Sequence, residues 1–252
     1  MRSTRSPLAV PQYATCKPAE VMAAEAAIFG TGRPHDCIGQ YLIEPLLVRI
    51  TAEVLRLTVC LENLAPVYPG RSRVCHDPLS VRDCCLVTDG GGAFVLVRAD
   101  RARDLAKKPV YVLGNATANW NRQVSSMHDL TVTAASQSGR EAFAMAGMKP
   151  SDMGVVQLYD AFTINTLLFL EDLGFCKKGE AGDFVQNGGI APGGHLPVNT
   201  NGGGLSCTHP GMYGIFTVIE AVRQLRGEGG ERQVPGVKTA LAHGNGGTLS
   251  SQ

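Results

Sequence analysis

The spacing of apolar and polar positions changes character near residue 76. Before that point, apolar residues recur at helical spacing in residues 19–29 and 42–61, but proline-rich breaks surround both stretches. We therefore treat residues 1–76 as a divergent segment of uncertain fold. From residue 77 onward, short apolar runs alternate with longer amphipathic stretches, a pattern typical of α/β proteins in which helices cover a sheet.

Short apolar runs that follow turn-forming residues predict strands, and apolar residues at helical spacing predict helices. The predicted strands are residues 93–97, 109–114, 155–159 and 239–242, the first of them buried. The predicted helices are residues 100–106, after an acidic cap, 129–148, with Gly147 as its stop, 160–173 and 215–225. Because binding sites in such folds lie at the carboxyl ends of strands, residues 159–160 and 243–244 are expected to border one.

Two glycine-dense loops carry the candidate chemistry. Residues 199–211 contain His209, and residues 243–247 begin with His243. Glycines let backbone N–H groups approach a ligand closely, and an imidazole can take up or release a proton near neutral pH. Neither loop has the spacing of a phosphate-binding motif, so the sequence does not predict nucleotide binding through either.

Composition narrows the classes of function. The chain has 252 residues, of which 44% are hydrophobic and 18% charged, which is enough for one large domain or two smaller ones. A net charge of +1 without a long basic run gives no indication of nucleic-acid binding. No leader segment and no window of about 18 apolar residues is found, which predicts a cytoplasmic protein without a membrane span. The eight cysteines form no CxxC pair, so we expect free thiols and no metal site.

Three blocks resemble, in their order and separation, the signatures of the C-terminal half of thiolases. They are Tyr159-Asp160-Ala161-Phe162, then Asn199-Thr200-Asn201-Gly202-Gly203 leading to Thr208-His209-Pro210, and finally His243-Gly244-Asn245-Gly246-Gly247. The resemblance extends over roughly residues 77–252. It is greatest to the sterol-carrier-type, lipid-transfer-protein-like thiolases and to the archaeal-type acetyl-CoA acetyltransferases.

The resemblance implies a layered αβαβα fold of two similar halves, with the C-terminal half complete and the N-terminal half truncated or divergent. Residues 77–106 would then end the first half, and residues 107–252 would form the thiolase C-terminal domain. The implied substrate is a coenzyme A thioester, with no bound cofactor. The implied assembly is a homodimer or another thiolase-type assembly, and an OB-fold and zinc-ribbon subunit is a candidate partner.

The resemblance also assigns roles to individual residues. His209 would deprotonate a nucleophilic cysteine and help to form an oxyanion hole, His243 would replace the family's second acid/base cysteine, and Asn201 would contribute to an oxyanion site. An imidazole suits the second role, because it can act as a base at pH 7 where an ordinary thiol needs help. The implied substrate-binding residues are Tyr159, Asp160, Phe162, Gly203, Gly204, Gly244 and Gly246.

Purely structural interpretations stay open for several of these residues. Asp160 could be the N-cap of a helix that starts at Ala161, and Tyr159 could be a strand-end tyrosine. Either histidine could be a hydrogen-bonded core residue. Cys207 fits a packing role, and Cys84-Cys85 fit buried thiols of a sheet.

The leading hypothesis is an acyl-CoA acyltransferase that forms or cleaves a carbon–carbon bond beside a thioester. Residues 1–75 contain no strand–cysteine–helix arrangement of the family's kind, so activity is expected to need a nucleophile-bearing half from elsewhere. Two rivals stay open. One is a noncatalytic acyl-CoA carrier, lipid carrier or scaffold. The other is a thiolase-like retro-aldolase that uses Tyr159, against which His209 argues.

Overall fold

The fold is described from a computed structural model, which covers residues 26–30, 41–45, 74–76, 79–247 and 249. Its strands are β1 (Ala26–Gly30), β2 (Tyr41–Pro45), β3 (Val74–His76), β4 (Leu79–Ser80), β5 (Phe94–Arg98), β6 (Tyr111–Ala116), β7 (Val155–Gln157) and β8 (Thr239–His243). Its α-helices are α1 (Ala135–Ala146), α2 (Thr163–Asp172), α3 (Ala181–Val185), α4 (Gly203–Ser206) and α5 (Gly214–Arg226).

The described parts of the first segment are strands. β1 and β2 overlap the two stretches that have helical spacing. The indication of helix is therefore wrong for the shared residues, 26–29 and 42–45. Spacing alone does not separate a short apolar strand from a helix, and pairing with distant strands decides the outcome here. The rest of both stretches lies outside the described residues.

Six strands form one mixed sheet in the order β5-β2-β6-β1-β8-β7, and β3 pairs with β4 in a separate antiparallel ribbon. β1 is antiparallel to both of its neighbours, whereas β7 and β8 are parallel. In the β7–β8 register, Val155 lies opposite Ala240 and Gln157 lies opposite Ala242. The carboxyl ends of these two strands therefore lie side by side.

The predicted helices at residues 129–148, 160–173 and 215–225 are confirmed as α1, α2 and α5, although α1 and α2 start later than predicted. Gly147 follows α1 with φ of 64° and donates its N–H to carbonyl groups of the last turn, which confirms its role as the stop. The predicted helix at residues 100–106 is only the 3₁₀ turn Ala102–Asp104, and no side chain caps it.

Successive side chains of β7 and β8 point into two hydrophobic clusters, one on each face of the sheet. Val156 and Leu241 pack in the cluster that contains Phe169 of α2. Val155 packs in the cluster that contains Val222 of α5. This alternation is the period of two that a strand imposes, so helices cover both faces and the predicted α/β class is confirmed.

β5 is a strand, as predicted, but it is not buried. Val95 is 42% exposed and Leu96 is 49% exposed, because β5 is an edge strand of the sheet. Within the described ranges, every helix is too short or too polar to span a bilayer.

Candidate active site

The site forms where β7 and β8 end together. Tyr159 and Asp160 follow the end of β7 at Gln157 by two and three residues, and His243 is the last residue of β8. The parallel register places these two exits next to each other. Residues 159–160 and 243–244 therefore follow the carboxyl ends of strands, as expected, and the structure adds that these two strands are neighbours.

The His209 imidazole packs against two tyrosine rings that also contact each other, with Tyr159 and Tyr213 centroids 5.7 Å apart. It meets Tyr159 edge to face, with ring centroids 5.2 Å apart and an interplanar angle of 85°, and it is nearly parallel to Tyr213 at 6.1 Å. Its Nε2 atom is buried, and none of the described residues forms a hydrogen bond to it. Because burial lowers the pKa of His209, the ring is the free base at neutral pH and can accept a proton.

Val87 and Thr88, which precede the glycine run at residues 90–92, hold the His209 backbone in place. The His209 N–H donates to Thr88 Oγ1 at 3.1 Å, and the hydroxyl groups of Thr88 and Thr208 are 2.6 Å apart. Val87 forms a parallel bridge with His209. Thr88 was not predicted from the sequence, because its only local signal is its position just before Asp89 and three glycines.

The Asp160 carboxyl group is turned into the protein and is 2% exposed. It accepts hydrogen bonds from the N–H of Gly204 at 2.6 Å and of Leu205 at 3.4 Å, both in α4. The prediction that Asp160 caps its own helix is wrong, because Phe162 occupies the N-cap position of α2. Burial raises the pKa of Asp160 to about 6, even though the two amide hydrogen bonds favour its ionised form.

Asn201 supports the same loop from the other side. Its Oδ1 accepts the Gly203 N–H at 3.0 Å and the hydroxyl group of Tyr213 at 3.2 Å. The side-chain oxygen is therefore committed to the protein. The predicted oxyanion role, which would fall to the side-chain nitrogen, stays a prediction.

His243 is fully buried, and its ring packs on Phe169 at a centroid distance of 4.3 Å. The two imidazoles thus belong to different sets of ring contacts. The loop after His243 approaches the start of α5, since a Cβ on Gly214 would lie 3.8 Å from the Cα of Gly244. The acid/base role of His243 stays a prediction.

The other predicted substrate-binding residues border this region. Phe162 is 44% exposed and forms an isolated antiparallel β-bridge with Cys84. Gly203 and Gly204 begin α4, and Gly244 and Gly246 lie in the loop that follows His243. Their contact with a substrate stays a prediction. Among the described residues, no cluster of His, Cys, Asp or Glu could hold a metal ion.

Two thiols lie near Asp160 without being activated. Burial raises the pKa of both Cys85 and Cys207, and the Asp160 charge raises both further. Both are therefore thiols at neutral pH rather than thiolates. Cys84 and Cys85 are half-buried and lie outside the strands, so their prediction as buried sheet thiols is wrong.

A family model described as "Thiolase C-terminal domain-like" matches residues 116–252, more than half of the chain. The chain belongs to this thiolase family. The thiolase-like fold expected from the three sequence blocks is thereby confirmed.

Similar proteins come from two functional groups of this family. The chain is 41% identical over 179 residues to an acetyl-CoA acetyltransferase of Methanothermobacter thermautotrophicus, which covers 70% of this chain and 47% of that protein. It is 39% identical over 166 residues to a 17-hydroxy-3-oxo-4-pregnene-20-carboxyl-CoA lyase of Mycobacterium tuberculosis, at 62% and 41% coverage. The solved structure of an Ltp2-ChsH2(DUF35) aldolase matches with a TM-score of 0.66 and 37% identity, over 72% of this chain and 48% of that one. The chain thus spans less than half the length of each of these relatives.

All three thiolase sequence blocks contribute to the region around the β7 and β8 ends. The first supplies Tyr159 and Asp160, the second supplies Asn201, α4 and His209, and the third supplies His243 and the loop after it. The contacts join the first two blocks directly, through the hydrogen bonds of Asp160 to α4 and the ring contact of Tyr159 with His209.

Proposed function

We propose that this thiolase-family chain provides the histidine-bearing part of an acyl-CoA acyltransferase site, which forms or cleaves a carbon–carbon bond beside a thioester. The observation that carries the proposal is His209, an imidazole packed against the rings of Tyr159 and Tyr213, whose buried Nε2 receives no hydrogen bond from a described residue. Its lowered pKa keeps it a base at neutral pH.

In this proposal, His209 Nε2 takes the proton from a nucleophilic thiol, and the thiolate attacks the thioester carbonyl. Coenzyme A leaves as its thiol after it receives that proton, and the acyl group stays on the nucleophile. His243 is proposed as the acid/base for the second substrate, and the Asn201 side-chain nitrogen as a donor to an oxyanion. Cys85 and Cys207 are poor candidates for the nucleophile, because both have raised pKa values. We assign that thiol to a polypeptide that complements this chain.

Substitution of His209 tests the proposal. In an active assembly of this chain with a complementing thiolase first half, His209→Ala is expected to lower kcat for thiolysis of a β-ketoacyl-CoA by about 10²–10⁴-fold, the usual contribution of a positioned acid/base. The exposed His128 gives a matched control, so His128→Ala is expected to leave kcat unchanged. Near-normal turnover of His209→Ala would remove His209 from the mechanism.

Retro-aldol cleavage of a β-hydroxyacyl-CoA is the second candidate. Tyr159 favours it, because this tyrosine touches His209 and burial raises its pKa, so that its hydroxyl group is a proton donor at neutral pH. Similarity to a lyase and to an aldolase favours it as well. Incubation with a β-hydroxyacyl-CoA separates the two candidates: release of an aldehyde or ketone that Tyr159→Phe abolishes supports cleavage, and its absence supports acyl transfer.

We also propose that a second subunit covers the edge of the site. Val87 pairs with His209 in a parallel bridge and is 91% exposed, and Met212, three residues after His209, is 80% exposed. The ChsH2(DUF35) component named with the similar aldolase supports this proposal, and an OB-fold and zinc-ribbon subunit is the candidate. Size-exclusion chromatography after co-expression tests it, and separate elution of the two chains would contradict it.

A further inference from the structure

The Asp160 carboxyl group holds the start of a helix that is remote from it in the sequence. The first N–H groups of a helix have no partner within that helix, and Asp160 accepts two of those in α4, from Gly204 and Leu205. The carboxyl group is 2% exposed, so it faces the protein rather than solvent. α4 ends at Ser206, three residues before His209, so the helix that the carboxyl group binds leads directly to the proposed base.

Close packing joins Asp160 to His209 across two glycines. Gly203 has φ of 65°, and a Cβ there would overlap Asp160 Oδ2. A Cβ on Gly204 would lie 2.9 Å from His209 Cδ2 and 3.2 Å from Asp160 Oδ1. The carboxyl group and the imidazole edge therefore flank the same small space. A displacement of the carboxyl group would move the glycines and, with them, the imidazole.

The titratable groups that face Asp160 are neutral at pH 7. Cys85 faces it from the segment before the glycine run, Tyr159 from the preceding position, Cys207 from the end of α4, and Tyr213 from the start of α5. Burial raises the pKa of all four groups. Beyond Cys207, the Arg232 guanidinium is paired with the Glu220 carboxylate at 2.9 Å. A proton accepted by His209 would therefore put a positive charge on the imidazole edge next to Asp160.

We infer that Asp160 is a positioning residue for His209: its ionised carboxyl group fixes the first turn of α4 through two amide N–H groups and so sets where the imidazole stands. This inference deepens the proposed function, because it concerns the orientation of the proposed base. It gives Asp160 a role that involves no contact with the substrate.

Nuclear magnetic resonance of the ligand-free 252-residue chain tests the inference without any activity measurement. In the wild type, the amide resonances of Gly204 and Leu205 are expected to shift with pH as Asp160 ionises, with a midpoint at about pH 6. In Asp160→Asn this titration is lost, and hydrogen exchange at these two amides becomes about tenfold faster, the equivalent of one charge-assisted hydrogen bond. The pKa of the His209 ring, followed through its own resonances, is expected to fall in the variant, because the nearby negative charge is gone.

Asp172→Asn is the matched control. Asp172 is also a buried carboxylate that accepts a backbone N–H, from Thr133, but it lies on α2 away from α4. Its substitution is expected to lower stability without changing the His209 pKa or the Gly204 and Leu205 titration. Wild-type amides that do not titrate, or His209 resonances that Asp160→Asn leaves unchanged, would overturn the inference. The wild-type titration gives this answer even if Asp160→Asn does not fold, and it is independent of whether His209 is needed for turnover.

Discussion

Burial shifts the ionisation of Asp160 and of His209 in opposite directions, and both shifts favour the neutral form. The pKa of His209 lies below the ordinary histidine value of 6.5, while the pKa of Asp160 rises from the ordinary 3.8 to about 6. The same cause acts in both cases, because removal from water disfavours whichever form is charged. At neutral pH the site therefore contains a free-base imidazole and a carboxylate that is ionised at a cost to stability.

This cost predicts a particular dependence of stability on pH. Between about pH 4 and pH 6 the folded chain keeps a proton on Asp160 that the unfolded chain has lost, so its contribution to the free energy of unfolding falls as pH rises. The loss is about 3 kcal/mol, since each unit of pKa shift corresponds to about 1.4 kcal/mol. Urea unfolding from pH 4 to pH 7 checks this: the difference between wild type and Asp160→Asn is expected to fall with pH.

His209 contributes with the opposite sign. Between its lowered pKa and 6.5, the unfolded chain holds more protons on this residue, so its contribution to stability increases as pH rises through that window. Both proteins contain His209, so most of its contribution cancels in the difference between their profiles. The expected fall of the His209 pKa in Asp160→Asn makes that difference decrease further as pH rises. Wild-type and variant profiles that run parallel would contradict the raised pKa of Asp160.

At the scale of elements, the four-residue helix α4 explains why the loop at residues 199–211 is so rich in glycine. α4 packs against the Asp160 carboxyl group on one side and leads to His209 on the other, and its first residue has φ of 65°. A side chain on either of its glycines would occupy space that Asp160 or His209 already fills. These glycines are therefore needed for close approach within the protein, in addition to any contact with a ligand.

Gly204→Ala tests this explanation. The new methyl group would lie 2.9 Å from His209 Cδ2, so the imidazole must shift, and kcat of an active assembly is expected to fall by about 10²-fold, as for other small displacements of a catalytic group. Gly182→Ala in α3 is the matched control, since a Cβ there has no neighbour within 4 Å. Steady-state kinetics together with circular dichroism provide the measurement. An unchanged kcat in folded Gly204→Ala would contradict the packing argument.

At the scale of the whole molecule, the chain accounts for less than half of the length of each relative described above. The thiols beside Asp160 have raised pKa values, so none of them meets the requirement for an activated nucleophile. Within the part of the chain that the structure describes, the thiols near Asp160 are thus protonated rather than activated as thiolates.

Because the thiols near Asp160 are not activated, we expect the chain alone to form no acyl-enzyme. With acetyl-CoA, intact-mass spectrometry is expected to detect no acetylated form of the isolated chain. After assembly with the first half of the archaeal acetyltransferase, one acetyl group is expected on the complementing polypeptide, and His209→Ala in this chain reduces its rate of formation. Acetylation of the isolated chain would show that it carries its own nucleophile, and no acetylation in either case would favour the noncatalytic carrier or scaffold.

The sequence by itself determined the features that depend on local pattern. The strands that end near residues 157 and 243, the helices α1, α2 and α5, and the stop at Gly147 follow from apolar spacing and from turn and cap residues within a short window. The three blocks that resemble thiolases likewise identified the family and brought Tyr159, Asp160 and His209 into consideration.

Only the tertiary structure decided which distant groups meet. Asp160 binds α4 rather than its own helix, Thr88 holds the His209 backbone across 121 positions of sequence, and the apolar β5 is exposed at a sheet edge. β1 and β2 are strands in spite of their helical spacing, because their backbones pair with distant strands. The physical reason is common to all four: local spacing records which face of a segment is apolar, whereas the partner of a buried polar group or strand edge is selected by the packing of the whole chain.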